Sequence, residues 1–550
     1  MDIEVNIVQD GPGGWESWSF ADGTKHQGHC WLYDPWEHSD LSAGLRALCQ
    51  RGNAAFRELC DQVLSLCEDT NYEHACILQR GANLLAVVDH IQSEPLYYTV
   101  TGDTLCLSND PSQFFQSIDP VLVEEALREF LLANYVTGKK SLLRGVQQIL
   151  AGQALIFSDG ILQTESVCEF WHRESAGFQE DLQRDRFREL ILEVVEEMIG
   201  AYPEHRIILT LSGGLDSRLI LWALDQLDHP DVVVCSYGRS FQRDVKWARE
   251  FTARTRYPWI FIPLSYKALR RIFQSEERRN YSRKSHFFTR LPFIQDFPAL
   301  LYLSKRGYLE KPAIGITGNS GDYISGGHIQ EGLSLENSRE RVIDAVIHKH
   351  FHHWDINDLA PQIQQEYRQE ISSQLDHAPE SGRNEANFYE WWEWRERQSK
   401  FVVNSRRQYH WFGIPLFLPL WDKRMMQFFE EVPLNLRRDQ RFYKRFCRNL
   451  VTSRNFAFDS VPTTLAQQQV EFRRKILRAI EHIANPNWGR YNTAALEHMF
   501  QVAHRLIGPG KGVYLPTTMS PYIGLLLWEL VQNYPIRRSE SKDWKREGIL

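Results

Sequence analysis

The spacing of hydrophobic and polar positions divides the chain into two stretches with different periods. Over residues 1–115, short apolar runs alternate with turn-forming residues such as Gly102 and Asp103, which is typical of β-strands. Apolar residues recur at helical spacing over 45–67, and Gly52 is expected to break this stretch into two helices. The predicted strands cover 75–79, 84–88, 95–100 and 104–108. Together these elements predict an α+β sheet domain.

From residue 187 onward, helical and strand-like segments alternate. The polar stretch 176–185 separates the two patterns, so we place a domain boundary within 160–185. A strand–helix–strand alternation predicts a parallel sheet with crossover helices, the doubly wound α/β arrangement. The predicted elements are a helix at 187–199, strands at 207–211, 232–236 and 259–263, and helices at 217–227 and 244–255.

Composition narrows the class of protein. Hydrophobic residues make up 43% of the 550 positions and charged residues 24%, which excludes a disordered chain or a fibre. The net charge of −7 creates no basic field, so nucleic acid is not an expected partner. The longest apolar stretch near the end, 522–531, is half of the roughly 20 residues that a membrane helix needs. The first residues also lack a signal-peptide pattern.

Cysteine usage agrees with this picture. The chain has nine cysteines, and no pair has C-x-x-C spacing, so neither a zinc site nor a disulfide framework is predicted. A reducing compartment is the simplest location for such a chain. We therefore expect a cytoplasmic protein without a membrane span.

The strongest chemical signal is the segment 207–218, which reads Ile-Ile-Leu-Thr-Leu-Ser-Gly-Gly-Leu-Asp-Ser-Arg. A strand ends at Leu211, and a helix is predicted to begin shortly afterwards. Between them, Gly213 and Gly214 allow backbone N–H groups to approach an anion, and the helix N-terminus adds a partial positive charge. The segment lacks the G-x-x-x-x-G-K-[ST] pattern, so it does not predict a loop that transfers a γ-phosphate.

The polar side chains of this segment suit a magnesium-bound phosphate. The hydroxyls of Ser212 and Ser217 can donate to phosphate oxygens. Asp216 would repel a phosphate unless a cation lay between them, and a carboxylate with phosphate oxygens is a ligand set that Mg²⁺ favours. The segment therefore predicts a site for a phosphate group and Mg²⁺.

The segment resembles the pyrophosphate loop of ATP pyrophosphatases, which cleave ATP between the α- and β-phosphates. In order along the chain, the remaining motifs resemble those of class B asparagine synthetases, and the resemblance covers most of 75–450. The motifs are Val87 to Tyr98 in the N-terminal part, Tyr237-Gly238, the loop Ile316 to Gly327, and the tract Pro415 to Asp422 followed by Val432-Pro433 and Lys444.

The resemblance implies two domains. Residues 1–165 would form a glutamine-amidotransferase-like domain, an α+β sandwich of the N-terminal nucleophile (Ntn) type. Residues 180–550 would form an ATP pyrophosphatase domain with a doubly wound parallel sheet and a helical C-terminal part. The implied ligands are ATP and Mg²⁺. The implied nucleotide-binding residues are Leu211, Ser212, Gly213, Gly214, Asp216, Ser217, Tyr237, Gly318, Ser320 and Gly321, and the implied metal ligands are Asp216 and Asp322.

The chain departs from the family at position 2. Glutamine-hydrolysing members use an N-terminal cysteine whose own α-amine serves as the base, but this position is Asp2. We therefore expect the N-terminal domain to lack glutaminase activity, and the alternative is that the true start lies upstream. The nitrogen would come from free ammonia, from a separate glutaminase or from an amine on the substrate.

Two further departures concern the catalytic groups. Asparagine synthetases have an acidic residue and β-lactam synthetases a tyrosine at the position of Asn319, which cannot take a proton at neutral pH. That weakens the case for aspartate as the substrate and leaves Glu396 as a candidate base. The family's late pyrophosphate-binding lysine has no clear counterpart, so Lys444 or Arg454 would serve.

Details of the motifs resemble a branch found in bacterial surface-polysaccharide gene clusters, whose members are associated with converting uronic acids into uronamides. The expected function is an AMP-forming amide ligase that joins a small-molecule carboxylate, such as a sugar uronate, to ammonia or an amine. A homodimer is also expected. The alternatives are asparagine synthesis, lactam or peptide macrolactam formation, a nucleobase- or tRNA-modifying ATP pyrophosphatase and an inactive scaffold.

Other conspicuous residues have simpler interpretations. The histidines at 348, 350, 352 and 353 lack metal-ligand spacing, so we expect them on a solvated surface. The basic residues between Arg278 and Arg290 are expected to form a solvated face, with an anion-binding patch as the alternative. The tryptophans between 391 and 421 are expected to lie mainly in the core.

Overall fold

The computed structural model describes residues 1–9, 14–21, 27–35, 40–50, 55–240, 242–351, 361–450 and 537–538. Within these described ranges, eleven strands and three α-helices precede residue 167. The strands are β1 (Asp2–Asn6), β2 (Trp15–Ala21), β3 (Gln27–Tyr33), β4 (Ala75–Arg80), β5 (Asn83–Val88), β6 (Tyr97–Thr101), β7 (Thr104–Ser108), β8 (Val121–Leu122), β9 (Gln147–Gln148), β10 (Gln153–Ser158) and β11 (Ile161–Ser166). The helices are α1 (Asp40–Gln50), α2 (Phe56–Asp69) and α3 (Glu124–Ala133).

Ten of these strands, all except β8, form two stacked sheets. One has the order β1-β7-β6-β9 and the other the order β11-β10-β5-β4-β3-β2. Apolar side chains of both sheets, such as Leu105 and Ile77, share one core cluster. On its other face, the six-stranded sheet packs against α1 and α2 through residues such as Leu45 and Val63. The strands and the broken helix expected from the sequence are thus present in a sandwich, while the assignment to the Ntn type stays a prediction.

The part after residue 180 contains the parallel sheet that the alternating pattern predicts. Its strands are β12 (Arg206–Thr210), β13 (Val232–Gly238), β14 (Trp259–Pro263), β15 (Ala313–Ile316) and β16 (Leu416–Phe417), in the order β14-β13-β12-β15-β16. All four pairings are parallel. A two-residue strand, β17 (Arg537–Arg538), pairs with β8 of the N-terminal part.

Helices surround this sheet. Those before β15 are α4 (Glu180–Gly200), α5 (Leu215–Gln226), α6 (Arg243–Thr252), α7 (Tyr266–Phe273), α8 (Glu276–Ser285) and α9 (Phe297–Lys305). Those after it are α10 (Gly321–Ile324), α11 (Arg339–His350), α12 (Pro361–Leu375), α13 (Glu385–Glu393), α14 (Arg406–Trp411), α15 (Lys423–Glu431), α16 (Leu434–Arg437) and α17 (Arg441–Arg448). A π-helical segment, Trp394–Val402, continues α13.

The core explains two features of the composition. Of the tryptophans in the aromatic segment, Trp391, Trp392, Trp394 and Trp421 are buried, as expected for large apolar side chains. All nine cysteines are free, and eight of them are buried. The prediction of a fold without disulfide bonds is therefore confirmed.

Polar contacts join the N-terminal sandwich to the parallel-sheet part. Trp394 Nε1 donates to the backbone oxygen of His90 at 2.8 Å. His90 Nε2 lies 2.7 Å from the backbone oxygen of Trp421. Lys400 Nζ donates to the backbone oxygen of Gly138 at 2.7 Å. The π-helical segment and the start of α15 are thus fixed against the first part of the chain.

Among the described residues, no helix is long and apolar enough to cross a membrane. The apolar stretch 522–531 lies outside the described residues.

Candidate active site

The predicted phosphate loop lies at a switch point of the parallel sheet. From β12 the chain crosses to β13 and β14 on one side, and it then returns to place β15 on the other side of β12. The loops that follow β12 and β15 therefore leave adjacent strands in opposite directions. In doubly wound sheets, the crevice at the carboxyl ends of such strands is where ligands bind.

The loop after β12 is held by its own hydroxyl groups. The Oγ atoms of Ser212 and Ser217 lie 3.1 Å apart, and Gly214 N donates to Ser212 Oγ at 3.1 Å. Leu211 is fixed to the next strand, because its backbone oxygen accepts a hydrogen bond from Ser236 Oγ at 2.7 Å. Gly214 precedes the first turn of α5 without a side-chain cap. Backbone and hydroxyl donors of the loop thus gather at a helix N-terminus, where anions bind favourably.

Two glycines bring the loop after β15 against the phosphate loop. A Cβ atom at Gly318 would lie 2.4 Å from the backbone carbon of Asp216 and 2.5 Å from Ser217 N. A Cβ atom at Gly321 would lie 2.7 Å from Asp216 Oδ1. Both distances are shorter than a carbon contact allows, so glycine is required for this approach. The structure therefore brings the predicted residues of the two loops together.

The two predicted metal ligands meet at this contact. Asp322 N donates to Asp216 Oδ2 at 3.1 Å. Burial, together with the charge of Asp322, raises the pKa of Asp216 to about 7. Burial acts to raise the pKa of Asp322 as well, but the hydrogen bond with His328 outweighs it and lowers this pKa. Two carboxylates that disfavour each other's charge are a suitable place for a cation.

The donor set fits Mg²⁺ in the presence of a nucleotide. Among the described residues, no group of three or more His, Cys, Asp or Glu side chains could hold a metal ion. Two carboxylates alone make an incomplete site, but Mg²⁺ is usually held by one or two carboxylates together with substrate phosphates and water. Asp216 and Asp322 therefore fit a metal that binds together with ATP.

Tyr237 ends β13 and belongs to a buried hydrogen-bond group. Its hydroxyl donates to the carboxylate of Asp296, and Tyr409 Oη donates to the same carboxylate at 3.0 Å. Tyr409 Oη also lies 3.2 Å from Thr210 Oγ1, directly before the phosphate loop. Burial raises the pKa of Asp296, while the two phenols oppose this rise. The group links the end of β13 to the end of β12, and a direct contact of Tyr237 with nucleotide stays a prediction.

Asn319 and Ser320 follow Gly318 in the second loop. Asn319 Nδ2 donates to Ser405 Oγ at 3.2 Å. Ser320 is buried, and its backbone oxygen accepts from Tyr323 N at 3.0 Å as the short helix α10 begins. Both residues therefore lie in the loop that contacts Asp216.

Glu396 lies in different surroundings. It is buried in the π-helical segment, where Lys400 Nζ lies 2.5 Å from its Oε2 atom. Gly138 N donates to the same oxygen at 2.9 Å. These contacts direct the carboxylate toward the N-terminal part of the chain and not toward the phosphate loop. Its role as a base stays a prediction.

Lys444 lies on α17, which packs against α5. The preceding residue, Tyr443, is buried close to Asp216, whose charge contributes to raising the pKa of this tyrosine. Lys444 itself is half-buried, and burial lowers its pKa. A role in binding pyrophosphate stays a prediction, and Arg454 lies outside the described residues.

Sequence reasoning missed a charged cluster beside Asp322. His328 Nε2 lies 3.2 Å from Asp322 Oδ2, and His328 Nδ1 lies 2.5 Å from Glu393 Oε1. Burial lowers the pKa of His328, but Glu393 and Asp322 outweigh it and raise the value to about 9. Lys349 and Arg397 also pair with Glu393, at 3.5 and 3.4 Å. In the sequence, the position of His328 directly after Gly326-Gly327 was the feature that could have indicated this cluster.

Two expectations about exposure were wrong. His350 is buried, and its Nε2 atom lies 3.1 Å from Tyr389 Oη, because α11 turns this side chain into the aromatic core. His348 is exposed as predicted, while 352 and 353 lie outside the described residues. In the basic run, Arg278 and Arg290 are buried, whereas Arg283 and Lys284 are exposed as predicted. Arg290 donates to Tyr97 Oη at 2.8 Å and to the backbone oxygen of Lys400 at 2.9 Å.

Comparison with known proteins identifies the second part of the chain. Residues 186–455, a little under half of the chain, match the family model of asparagine synthase. None of the curated proteins compared with the chain matches it.

Solved structures resemble the chain only weakly. An NMN synthetase from Francisella tularensis has a TM-score of 0.19 and 14% identity, covering 48% of this chain and 96% of its own. An NH3-dependent NAD synthetase from Campylobacter jejuni has a TM-score of 0.20 and 14% identity, covering 36% and 84%. An allosteric regulatory enzyme of purine biosynthesis has a TM-score of 0.19 and 10% identity, covering 45% and 62%, so the chain spans less than two thirds of its length. Scores this low add nothing to the assignment.

The family match and the described geometry agree. The matched segment contains the parallel sheet, both loops and the two facing carboxylates. The sheet is the parallel α/β arrangement that the alternating pattern predicts. The match over residues 186–455 therefore supports an ATP-dependent amide ligase.

Proposed function

We propose that the enzyme adenylates the carboxylate of a small molecule, specifically of a sugar uronate, and transfers the acyl group to ammonia or an amine. The observation that carries the proposal is the contact between the loops after β12 and β15. There Asp322 N donates to Asp216 Oδ2 at 3.1 Å, and Gly318 lies against the backbone of Asp216. Such a contact places two carboxylates beside an anion-binding helix N-terminus.

In this proposal the phosphate loop binds the triphosphate of ATP. Ser212, Ser217 and the backbone N–H groups from Gly213 onward donate to phosphate oxygens. Asp216 and Asp322 hold Mg²⁺, which when bound neutralises charge on the phosphates. The protein contributes mainly by positioning the reactants and by balancing the charge that develops on the leaving group.

The chemistry proceeds in two displacements. A carboxylate oxygen of the substrate attacks the α-phosphorus, and the bond from this phosphorus to the oxygen bridging to the β-phosphate breaks, which releases pyrophosphate. The nitrogen of ammonia or an amine then attacks the acyl carbon of the adenylate. The bond from that carbon to the AMP oxygen breaks, and the nitrogen loses a proton as the amide forms. Activation is needed because a carboxylate oxygen is a poor leaving group, whereas AMP leaves readily.

Two features support a uronate over aspartate. The motifs around both loops resemble the polysaccharide-associated branch, and Asn319 occupies the position where asparagine synthetases have an acidic residue. In the structure the Asn319 amide is engaged with Ser405, and an amide cannot act as a base. The nitrogen donor is proposed to be free ammonia, ammonia from a separate glutaminase or a substrate amine.

ATP–pyrophosphate exchange tests the proposal. The full chain is incubated with Mg²⁺, ATP, labelled pyrophosphate and one carboxylate at a time, such as D-glucuronate, D-galacturonate or L-aspartate. We expect exchange with a uronate. We also expect Asp216→Asn to reduce exchange by about 10²- to 10³-fold, because a charged group beside the phosphates is lost.

A matched control separates this effect from a general loss of charge. Asp159→Asn changes an exposed aspartate in a turn of the N-terminal sandwich and should leave exchange unchanged. If no carboxylate supports exchange, or if Asp216→Asn exchanges as well as the wild type, the adenylation proposal is wrong. Exchange with aspartate alone would instead favour asparagine synthesis.

A further inference from the structure

Glu393 is a buried carboxylate that contacts basic side chains from three segments of the chain. It ends α13 and has no exposed side-chain surface. Its Oε1 atom accepts from His328 Nδ1 at 2.5 Å and from Gln398 Nε2 at 3.0 Å. Arg397 NH1 lies 3.4 Å from Oε1, and Lys349 Nζ lies 3.5 Å from Oε2. The carboxylate thus fixes the basic groups that surround it.

The basic groups lie nearer the surface than the carboxylate that holds them. The side chain of Lys349 is 25% exposed and that of Arg397 is 31% exposed. Among the described residues, Glu393 is the one ion-pair partner of either side chain. Lys349, Arg397 and His328 therefore share the single negative charge of Glu393.

Two other cationic side chains of this chain each pair with two carboxylates. Arg368 pairs with Glu340 at 2.7 Å and with Asp344 at 2.6 Å. Lys140 pairs with both Glu129 and Glu370. These side chains each have two carboxylates, whereas Lys349 and Arg397 share one. A surplus of positive charge at a partly buried position favours an anionic ligand.

The surplus charge lies beside the two loops. His328 connects Glu393 to Asp322, with its Nε2 atom 3.2 Å from Asp322 Oδ2. Lys349 Nζ also donates to the backbone oxygen of His328 at 3.2 Å. His328 thus links the cationic side chains to Asp322, the carboxylate that faces the phosphate loop.

We infer that Lys349 and Arg397, held by Glu393, form an oxyanion-binding subsite next to the paired loops. The ligand chemistry is a carboxylate or phosphate group, supplied either by the substrate carboxylate or by pyrophosphate. The identity of the ligand rests on the proposed ligase function, because that reaction brings both groups to this place. The subsite would provide positive charge in addition to Lys444, the candidate for the family's late lysine.

Direct binding tests the subsite. Isothermal titration of the full chain with Mg²⁺ uses inorganic pyrophosphate as one probe. The other probe is D-glucuronate in the presence of α,β-methylene-ATP, which cannot release pyrophosphate. Lys349→Gln and Arg397→Gln remove one charge each, and both side chains are exposed enough for the fold to tolerate the change. Lys311→Gln and Arg186→Gln are matched controls, because each removes an exposed cation paired elsewhere, with Asp231 and Glu431.

We expect each variant to bind one of the probes at least about tenfold more weakly, the effect of losing one charge-assisted contact. Arg397→Lys should restore most of the binding, and the controls should match the wild type. Weakened pyrophosphate binding identifies pyrophosphate as the ligand, and weakened glucuronate binding identifies the substrate carboxylate.

Two results would overturn the subsite. One is that Lys349→Gln and Arg397→Gln both bind both probes as tightly as the controls do. The other is that the wild-type chain binds neither probe. The outcome is separable from the ligase proposal, because pyrophosphate binding can depend on Arg397 even if no carboxylate supports exchange.

Discussion

The phosphate loop and the Glu393 cluster are adjacent, but the sequence encodes them in opposite ways. The loop is local: Ser212 and Ser217, whose hydroxyls lie 3.1 Å apart, are five residues apart in the chain. The cluster is assembled over long distances: His328 and Glu393, which are 2.5 Å apart, are separated by 65 residues. A site built from neighbouring residues can be recognised as a motif in the sequence. A site assembled from distant segments appears in the sequence only as isolated charged residues.

The difference also concerns what each region requires from the fold. The phosphate loop needs a strand before it and a helix after it, and both are predicted by the local pattern. The Glu393 cluster needs α11, α13 and the π-helical segment to meet, which depends on the packing of their aromatic faces. A change at the junction of the two regions should therefore have the largest effect on activity, and changes at buried contacts between distant segments should mainly alter stability.

The largest effect is expected for Gly318→Ala, at the junction. The added Cβ would lie 2.4 Å from the backbone carbon of Asp216, so the second loop must move away from the first. Because a displacement of about 1 Å in reactive groups costs on the order of 10²-fold in rate, we expect ATP–pyrophosphate exchange to fall at least that much. Gly177→Ala is the control, since a Cβ there has no neighbour within 4 Å. Near wild-type exchange in Gly318→Ala would mean that the loops need not touch.

The next effect is on stability, at the Glu396–Lys400 pair, which joins the π-helical segment to Gly138. Both side chains are buried, and Lys400 also donates to the backbone oxygen of Gly138. Lys400→Met leaves Glu396 as an unpaired buried charge, so we expect unfolding to become easier by about 3–5 kcal/mol. Chemical denaturation followed by tryptophan fluorescence measures this change.

The double variant Glu396→Gln/Lys400→Met removes both charges and should recover most of that loss. The same variant tests Glu396 as a base. If exchange persists while amide formation stops, Glu396 acts in the second displacement; if both activities persist, the pair is structural. A single variant Lys400→Met with wild-type stability would contradict the expected cost of the unpaired charge.

The features that could be predicted from the sequence are those that depend on neighbouring residues. The strands at 75–88 and 97–108, the α5 helix and the alternation from β12 to β14 were predictable, because each depends on local periodicity. Asp216 and Asp322 could be paired only through motif resemblance, since 106 residues separate them. His350 and Arg290 were misjudged because their burial depends on contacts with Tyr389 and Tyr97, which no local pattern specifies.

The smallest effect is expected at Glu430, another contact between distant segments. Its Oε1 atom accepts from Trp171 N at 3.2 Å across 259 residues of chain, and burial raises its pKa to about 7. A carboxyl whose pKa is higher in the folded state stabilises the fold fully below its unfolded pKa of about 4.5, and this contribution is lost as the pH rises through about 7.

Glu430→Gln keeps an acceptor and removes the titration. We therefore expect it to match the wild type near pH 4.5 and to gain about 1 kcal/mol by pH 8, a value reduced from the full shift because the side chain is only half-buried. Denaturation midpoints measured across this pH range provide the comparison. Glu431→Gln is the matched control at the same helix end, where the carboxylate instead pairs with Arg186 at 3.1 Å. A gain at Glu430 that does not grow with pH would show that this long-range contact is set by packing and not by charge.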